Sequence, residues 1–131
     1  MTTGNLPTDG VLIVDAANVV GSVPDGWWRD RAGAAARLRD RLAAAVAGGL
    51  FAPAVEVVLV VEGAARGIEP VDGVSVVAAS GSGDDEIVRL ARAAGGPVTV
   101  VTADRGLRER VGAAGAGVIG PGSLRRWLDP A

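Results

Sequence analysis

The chain has 131 residues, enough for one domain with a substantial core, and it is 49% hydrophobic with a mean hydropathy of +0.34. Only 3% of the residues are aromatic, so we expect a core of Val, Ala and Leu. A net charge of −2 provides no general attraction to nucleic acid, and all 13 basic residues are arginines.

Cys, His, Lys and Tyr are absent from the sequence, and their absence excludes several kinds of enzyme. Without Cys there is no disulfide, thiolate nucleophile or thiolate metal site. Without His there is no Ser-His-Asp triad and almost no route to a catalytic zinc site. Without Lys and Tyr, a P-loop lysine, a Schiff base and a tyrosine nucleophile are excluded. Carboxylates, hydroxyls, amides and arginines remain, and oxygen ligands suit Mg²⁺ or Mn²⁺.

The N-terminal residues 1–10 contain neither a basic start nor an apolar segment, so they are predicted to be a flexible tail and not a signal peptide. The longest apolar run, AVEVVLVVEGAA, is interrupted by Glu56 and Glu62 and is too short to span a bilayer. We therefore expect a cytoplasmic protein with no membrane partner.

The first half of the chain predicts two strands separated by one long helix. The apolar run VLIVD, residues 11–15, is typical of a strand buried on both faces. Residues 54–62 predict the second strand. Between them, residues 27–47 predict a helix that ends at Gly48-Gly49. The buried stripe of this helix is predicted to contain Trp28, Ala35, Leu38, Leu42, Ala45 and Val46.

The second half of the chain alternates strands with shorter helices. Strands are predicted at 74–79, 97–102 and 117–120, and helices at 84–96 and 104–115. The first of these helices begins with three acidic residues and ends at glycines, which is typical of helix termini. Residues 121–128 predict a last helical turn anchored by Trp127 and Leu128.

Strands and helices that alternate with short connections predict a parallel sheet covered by helices on both faces. No internal repeat or interdomain linker interrupts the pattern, so residues 11–128 are predicted to form a single α/β domain. We expect a Rossmann-like sheet of about five strands, whose ligand crevice lies beyond the carboxyl ends of the strands.

Acidic residues follow most of the predicted strands. They are Asp15 after the first strand, Glu62 after the second, Asp84 and Asp85 at the helix after the third, and Asp104 after the fourth. Asp84 and Asp104 could be helix N-caps or first-turn residues, and Glu62 could be an exposed loop residue. Asp15 is different, because AANVV is not an obvious helix start and neither a cap nor a plain turn explains the residue well.

Carboxylates that share one edge of a sheet repel one another unless a cation neutralises them. A pocket of three or four acids can hold two divalent ions about 4 Å apart, which stabilise the attacking and leaving oxygens of an in-line displacement. Phosphodiester hydrolysis by this route requires no His, Cys or Lys. The sequence therefore predicts a Mg²⁺ or Mn²⁺ site.

Three motifs in the same order resemble the PIN-like nuclease superfamily, and most closely its NYN branch. They are IVDAANVVGS with Asp15 and Asn18, GSGDDEIV with Asp84, and VVTADRGLRERV with Asp104. The resemblance extends over residues 11–120. It implies a Rossmann-like fold and a Mg²⁺- or Mn²⁺-dependent nuclease that usually acts on RNA.

The resemblance also implies roles for individual residues. Asp15, Asp84 and Asp104 would be catalytic, either as metal ligands or by orienting water at the metal. Asn18 would hold the first loop or a phosphate, and Asp85 could replace Asp84 as a ligand.

The end of the second strand departs from the family pattern. Relatives often have Asp-Gly at this point, where the present chain has Glu62-Gly63. The longer side chain of Glu62 could reach the metal or extend past it.

Several residues outside these motifs could contact the substrate. Arg66, Arg105 and Arg108 lie near the predicted edge and could bind phosphates without reading base sequence, although exposed arginines on helix surfaces would give the same pattern. Trp27 and Trp28 could stack on an unpaired base; the alternative is one core residue and one lid over it. We expect RNA as the partner, single-stranded or structured, and a homodimer or a protein partner could complete the substrate groove.

Two other functions fit part of the pattern. The same fold could be a non-catalytic module that binds RNA or protein and uses its acids as helix caps, although all three acidic positions are present. A phosphotransfer domain with Asp15 as the nucleophile is disfavoured, because residue 17 is Ala in place of the second acid of a DxD motif and the chain has no Lys. The metal-dependent nuclease accounts for most of the motifs.

Overall fold

The computed structural model describes residues 6–129, in which five strands and five α-helices follow one another along the chain. The strands are β1 (Gly10–Asp15), β2 (Val55–Val61), β3 (Val74–Ala78), β4 (Val98–Val101) and β5 (Gly117–Ile119). The helices are α1 (Ala16–Gly21), α2 (Arg31–Ala47), α3 (Gly83–Ala93), α4 (Arg105–Ala113) and α5 (Pro121–Leu128). Short 3-10 turns cover Trp27–Arg29 and Gly63–Ala65.

The five strands are parallel and lie in the order β3-β2-β1-β4-β5, with β1 at the centre. Asp15 of β1 lies opposite Val60 of β2, and Val14 lies opposite Val101 of β4. The chain builds the sheet outwards from β1 to β3 and then returns to add β4 on the other side of β1, as in Rossmann-like sheets. The predicted α/β class and the parallel five-stranded sheet are therefore confirmed.

Two apolar cores cover the two faces of the sheet, because successive side chains of a strand point to opposite sides. Leu12 and Val14 of β1 belong to the core beneath α1, α2 and α5, in which Leu42 is fully buried. Ile13 belongs to the core beneath α3 and α4, together with Ile87. Asp15, two residues beyond Ile13 on β1, consequently lies on the side of the sheet covered by α3 and α4.

The helix predicted at 27–47 begins only at Arg31, because Asp30 caps it. The Asp30 Oδ1 atom accepts a hydrogen bond from the backbone N–H of Gly33 at 2.9 Å. Trp28 lies before this cap in a 3-10 turn and is 51% exposed. Its assignment to the buried stripe was therefore wrong.

The segments at the two ends of the described region pack against the domain. Leu6, Trp127 and Leu128 contact the core between the sheet and α2, so α5 is anchored as predicted. Residues 1–5 of the predicted tail lie outside the described residues. No helix within residues 6–129 is long and apolar enough to cross a membrane, and the cytoplasmic location remains a prediction.

Gly10 provides a test of how closely β1 approaches the segment before β4. Its φ is +81°, and a Cβ at this position would lie 2.1 Å from the carbonyl oxygen of Pro97. A non-glycine residue in this conformation costs about 1–3 kcal/mol. The clash with Pro97 adds to that cost, so we expect Gly10→Ala to lower the free energy of unfolding by more than the conformational cost alone. Gly49→Ala is the matched control, because its φ is +80° and its Cβ would meet nothing within 4 Å. Equal losses for the two variants in urea denaturation would contradict the close approach.

Candidate functional site

The crevice at the carboxyl ends of β1 and β4 is the point at which Rossmann-like sheets bind ligands. Asp15 is the last residue of β1, and Thr102 directly follows β4. Asp104 precedes the first residue of α4, Glu62 directly follows β2, and Asp84 lies in the first turn of α3. Parallel pairing therefore brings acids that are distant in sequence to one edge of the sheet.

Asp15 is 5% exposed, and both of its carboxylate oxygens accept hydrogen bonds. Oδ1 accepts from the backbone N–H of Asn18 at 3.4 Å and so caps the N-terminus of α1. Oδ2 accepts from the Thr102 hydroxyl at 3.0 Å. The expectation that Asp15 is not a helix cap was wrong, because the short helix α1 has no acidic first turn and too few residues to show a helical pattern.

Burial raises the pKa of the Asp15 carboxyl from 3.8 to about 6. The hydrogen bonds from Thr102 and Asn18 lower the pKa, whereas the negative charges of Asp84 and Glu62 raise it. Loss of hydration is the largest of these effects. A carboxylate in this environment is stabilised by a proton or by a cation.

Thr102 joins the loops that follow β1 and β4. Its side chain is fully buried, and its hydroxyl donates to Asp15 while accepting a hydrogen bond from the Asp104 backbone N–H at 3.1 Å. The Oδ1 atom of Asn18 reinforces the same junction by accepting from the backbone N–H of Ala103 at 2.8 Å. Asn18 therefore has one of its two predicted roles, that of holding a loop. It links the loop after β1 to the loop after β4.

Sequence reasoning gave Thr102 no role of its own. The residue stands in the Thr-x-Asp pattern of the third motif, at the end of an apolar strand predicted to be parallel to that of Asp15. A hydroxyl in that position could have been recognised as a partner for a buried carboxylate, because neighbouring parallel strands end at the same edge.

The structure distinguishes between Asp84 and Asp85. Burial raises the pKa of Asp84, and the charges of Asp104 and Glu62 raise it further. Asp85 is exposed, and its Oδ1 accepts a hydrogen bond from the Arg110 guanidinium at 3.0 Å. Asp84 is therefore the member of the pair that faces the other acids.

Glu62 reaches the same edge from β2. A Cβ built on Gly83 would lie only 2.6 Å from Glu62 Oε1, so the carboxylate lies directly against the first residue of α3. Glycine at position 83 makes this close approach possible. Glu62 thus approaches the acids instead of extending into a solvated loop.

The acidic side chains share an edge without forming a closed set of metal ligands. Within residues 6–129, no group of three or more carboxylates is arranged so that it could hold a metal ion by itself. Mg²⁺ in proteins commonly takes one or two carboxylates and keeps several waters. A divalent ion at this edge would therefore have to take most of its ligands from water.

Three arginines lie beside the acidic residues in the chain. Arg105 directly follows Asp104 as the first residue of α4, Arg108 is exposed on the same helix, and Arg66 ends the 3-10 turn after Glu62. In the described part of the chain, none of their three guanidinium groups forms a hydrogen bond or an ion pair. All three side chains are exposed, two of them on α4 and one after β2.

The fold and the crevice define a Rossmann-like α/β domain with a five-stranded parallel sheet. Two solved structures of Rae1 (YacP) from Bacillus subtilis share this architecture with TM-scores of 0.73 for one structure and 0.65 for a tryptophan-to-leucine mutant. Each is 20% identical in sequence, and each match covers 90% of the present chain and 72% or 73% of the Rae1 chain. At this identity the similarity shows the fold. No family model and no curated protein matches the sequence.

The raised pKa of Asp15 predicts how stability depends on pH. The folded-state pKa of about 6 exceeds the value of about 3.9 in an unfolded chain, so ionisation costs the folded state about 3 kcal/mol. This loss develops as the pH rises from about 4 through about 6. Asp15→Asn cannot ionise, so its free energy of unfolding should increase relative to that of the parent over the same interval. Urea denaturation with chelator at several pH values would show this, and a constant difference would contradict it.

The two hydrogen bonds of Thr102 can be tested by removing its hydroxyl. Thr102→Val leaves Asp15 Oδ2 and the Asp104 N–H without this partner, which should cost about 1–3 kcal/mol of folding free energy. Loss of the bond to Asp15 should also raise the pKa of that carboxyl, measured by NMR titration. Thr102→Ser is the matched control, because it keeps the hydroxyl and removes only a methyl group. If the two variants are equally stable and leave the pKa unchanged, the hydroxyl does not hold the loops together.

Proposed function

We propose that this chain is a divalent-metal-dependent ribonuclease of the NYN branch of PIN-like proteins. The observation that carries the proposal is the buried Asp15 at the centre of the crevice, close to the like charges of Asp84 and Glu62. Like-charged neighbours destabilise a carboxylate whose only role is structural, whereas a cation turns the same arrangement into a binding site. The fold shared with Rae1 (YacP) agrees with the proposal as an analogy.

In the proposed site, Asp15, Asp84 and Asp104 hold Mg²⁺ or Mn²⁺ together with water, and Glu62 is a further donor from the β2 side. Asp85 is a weaker candidate because its carboxylate is exposed and paired with Arg110. When bound, the divalent ion neutralises negative charge on the phosphodiester and favours attack by water.

The protein's own groups position the substrate around the acids. Thr102 and Asn18 fix the loops that carry Asp15 and Asp104, so the two carboxylates keep their relative position. The proposed phosphate contacts are Arg66, Arg105 and Arg108, which supply positive charge on both sides of the crevice. Such contacts bind the RNA backbone without selecting a base sequence.

The proposed substrate is RNA, single-stranded or structured. The chain has 131 residues and a net charge of −2, so its overall charge does not attract RNA. We therefore include in the proposal that a homodimer or a protein partner completes the groove. The expected site of action is the cytoplasm.

A non-catalytic RNA- or protein-binding module is the second candidate, and specific observations favour it. Asp15 caps α1 and Asp104 caps α4, where its Oδ1 accepts from the Leu107 N–H at 2.9 Å. Asp85 is used in an ion pair, and within residues 6–129 no three carboxylates form a metal-holding group. Cleavage experiments separate the two candidates.

The parent protein should cleave single-stranded RNA in Mn²⁺ or Mg²⁺ and lose this activity in EDTA. Asp15→Asn, Asp84→Asn and Asp104→Asn should each lower kcat/KM on the order of 100-fold or more, because each removes a carboxylate that would hold the divalent ion. Asp85→Asn is the matched control from the same helix turn, and it should retain activity because its carboxylate pairs with Arg110. Thiol- and histidine-directed reagents should not affect the activity, since the chain contains no cysteine and no histidine. Gel assays of end-labelled RNA would measure these outcomes.

Metal binding can be measured independently of cleavage. At about 100 times the dissociation constant, Mn²⁺ should stabilise the parent by about 2.7 kcal/mol, on the order of ten degrees in Tm. Asp15→Asn should lose most of this shift and should be at least as stable as the parent in chelator. If the parent binds RNA but cleaves none of a broad panel of substrates, and if Mn²⁺ does not raise its Tm, the non-catalytic module would be favoured.

A further inference from the structure

A cavity of about 220 Å³ lies beside the acidic edge, on the side of the sheet covered by α1 and α2. The small side chains of Ala16, Ala35 and Ala65 line it, together with Trp27, Arg31 and Glu62. Ala16 directly follows Asp15, and Glu62 is one of the acids of the crevice. The cavity and the crevice therefore adjoin each other, and Glu62 belongs to both.

Trp27 forms an aromatic wall of this cavity and is held from several sides. The Arg31 guanidinium lies 5.3 Å from the centre of its ring, and the ring of Trp28 meets it edge to face at 6.1 Å. The backbone of α1 also approaches the indole, since a Cβ built on Gly21 would lie 3.5 Å from it. Trp28 does not line the cavity and is 51% exposed. The two adjacent tryptophans therefore have different environments.

The size and lining of the cavity limit what it can bind. Pockets for drug-sized molecules have volumes of about 300–1,000 Å³, so a cavity of about 220 Å³ suits a smaller group. Alanine side chains and the indole offer an apolar, stacking surface, and Arg31 and Glu62 add hydrogen-bonding groups to the lining. A flat unpaired base has the matching chemistry, because its faces stack on aromatic rings and on arginine planes.

We propose that this cavity binds one unpaired base of an RNA strand whose backbone crosses the acidic edge. The inference rests on the proposed function, because it takes RNA as the polymer at that edge. The base stacks on the face of the Trp27 ring that Arg31 does not cover, and the alanines leave the space that the base occupies. Contacts of this kind select unpaired over paired nucleotides and thus place a single-stranded segment at the carboxylates.

Adjacent tryptophans make a matched pair of variants for testing this pocket. A fluorescein-labelled eight-nucleotide single-stranded RNA serves as the probe, and its Kd is measured by anisotropy in chelator. Trp27→Ala should weaken binding roughly 5- to 150-fold, which corresponds to the loss of one stacked base. Trp28→Ala removes an indole of the same size that lies outside the cavity and meets Trp27 only edge to face, so it should weaken binding much less. Equal weakening by the two variants would overturn the inference.

Two further measurements keep the test independent of any folding defect in Trp27→Ala. Ala17→Leu places a larger side chain in the lining of the cavity at an exposed position of α1, and it should weaken binding while the thermal melt stays that of the parent. A series of RNAs with one abasic nucleotide should contain a position that weakens binding to the parent and has no further effect on Trp27→Ala, since both changes remove the same contact. Abasic effects that persist in full in Trp27→Ala would contradict the pocket.

The cleavage assay in Mn²⁺ separates this inference from the proposed function. If the parent cleaves RNA and Trp27→Ala binds as the parent does, the pocket is refuted and the nuclease is not. If the tryptophan variants differ as expected and no cleavage occurs, the pocket is supported in a non-catalytic module. If the parent neither binds nor cleaves RNA, the pocket is refuted together with the proposed function.

Discussion

The hydrogen bond from the Thr102 hydroxyl to Asp15 Oδ2 is the interaction on which the crevice depends. It joins residues that are 87 positions apart in the sequence. They lie at the ends of the neighbouring strands β1 and β4, where the order in which strands are added to the sheet reverses. Desolvation of a carboxylate is costly, and within residues 6–129 this bond and the one from the Asn18 N–H offset that cost. Because the same hydroxyl accepts from the Asp104 N–H, the geometry of one acid is tied to that of the other. A change at Thr102 would therefore affect the strand end, the loop and the start of α4 together.

Structural and electrostatic roles are combined in the same acids. Asp15 and Asp104 each use Oδ1 to cap a helix, and Asp84 lies in the first turn of α3, so these charges lie at helix N-termini. Positive ends of helices stabilise carboxylates and also attract phosphate groups. Burial nevertheless raises the pKa values of Asp15 and Asp84, which means that loss of hydration outweighs the stabilising contacts. The edge thus retains uncompensated negative charge that a hydrated cation could neutralise.

The surroundings of this charge differ on the two sides of the crevice. Arg105 and Arg108 lie on α4, whereas Arg66 follows the turn after β2. The cavity lined by Trp27 and Arg31 lies on the α1 and α2 side and is largely apolar. In the proposed function, the arginines would bind the backbone of an RNA strand, and the cavity would bind one of its bases. A divalent ion at the acids would relieve their repulsion of the phosphates, so that a chain with a net charge of −2 could cleave RNA.

The sequence by itself determined the α/β class, the five strands and the placement of Asp15 and Asp104 at one edge, because apolar runs and glycine boundaries encode strands locally and parallel strands share their carboxyl ends. Only the tertiary structure decided that Asp84 and not Asp85 faces this edge. Neighbouring residues of a helix point in different directions, and the packing of α3 against α4, with Arg110 beside Asp85, sets the rotation of the helix. Likewise, no local sequence pattern predicted the short helix α1, the Glu62–Gly83 contact or the cavity beside Trp27. Side-chain convergence depends on contacts between segments far apart in the chain, whereas periodicity reports only on residues within a few positions of one another.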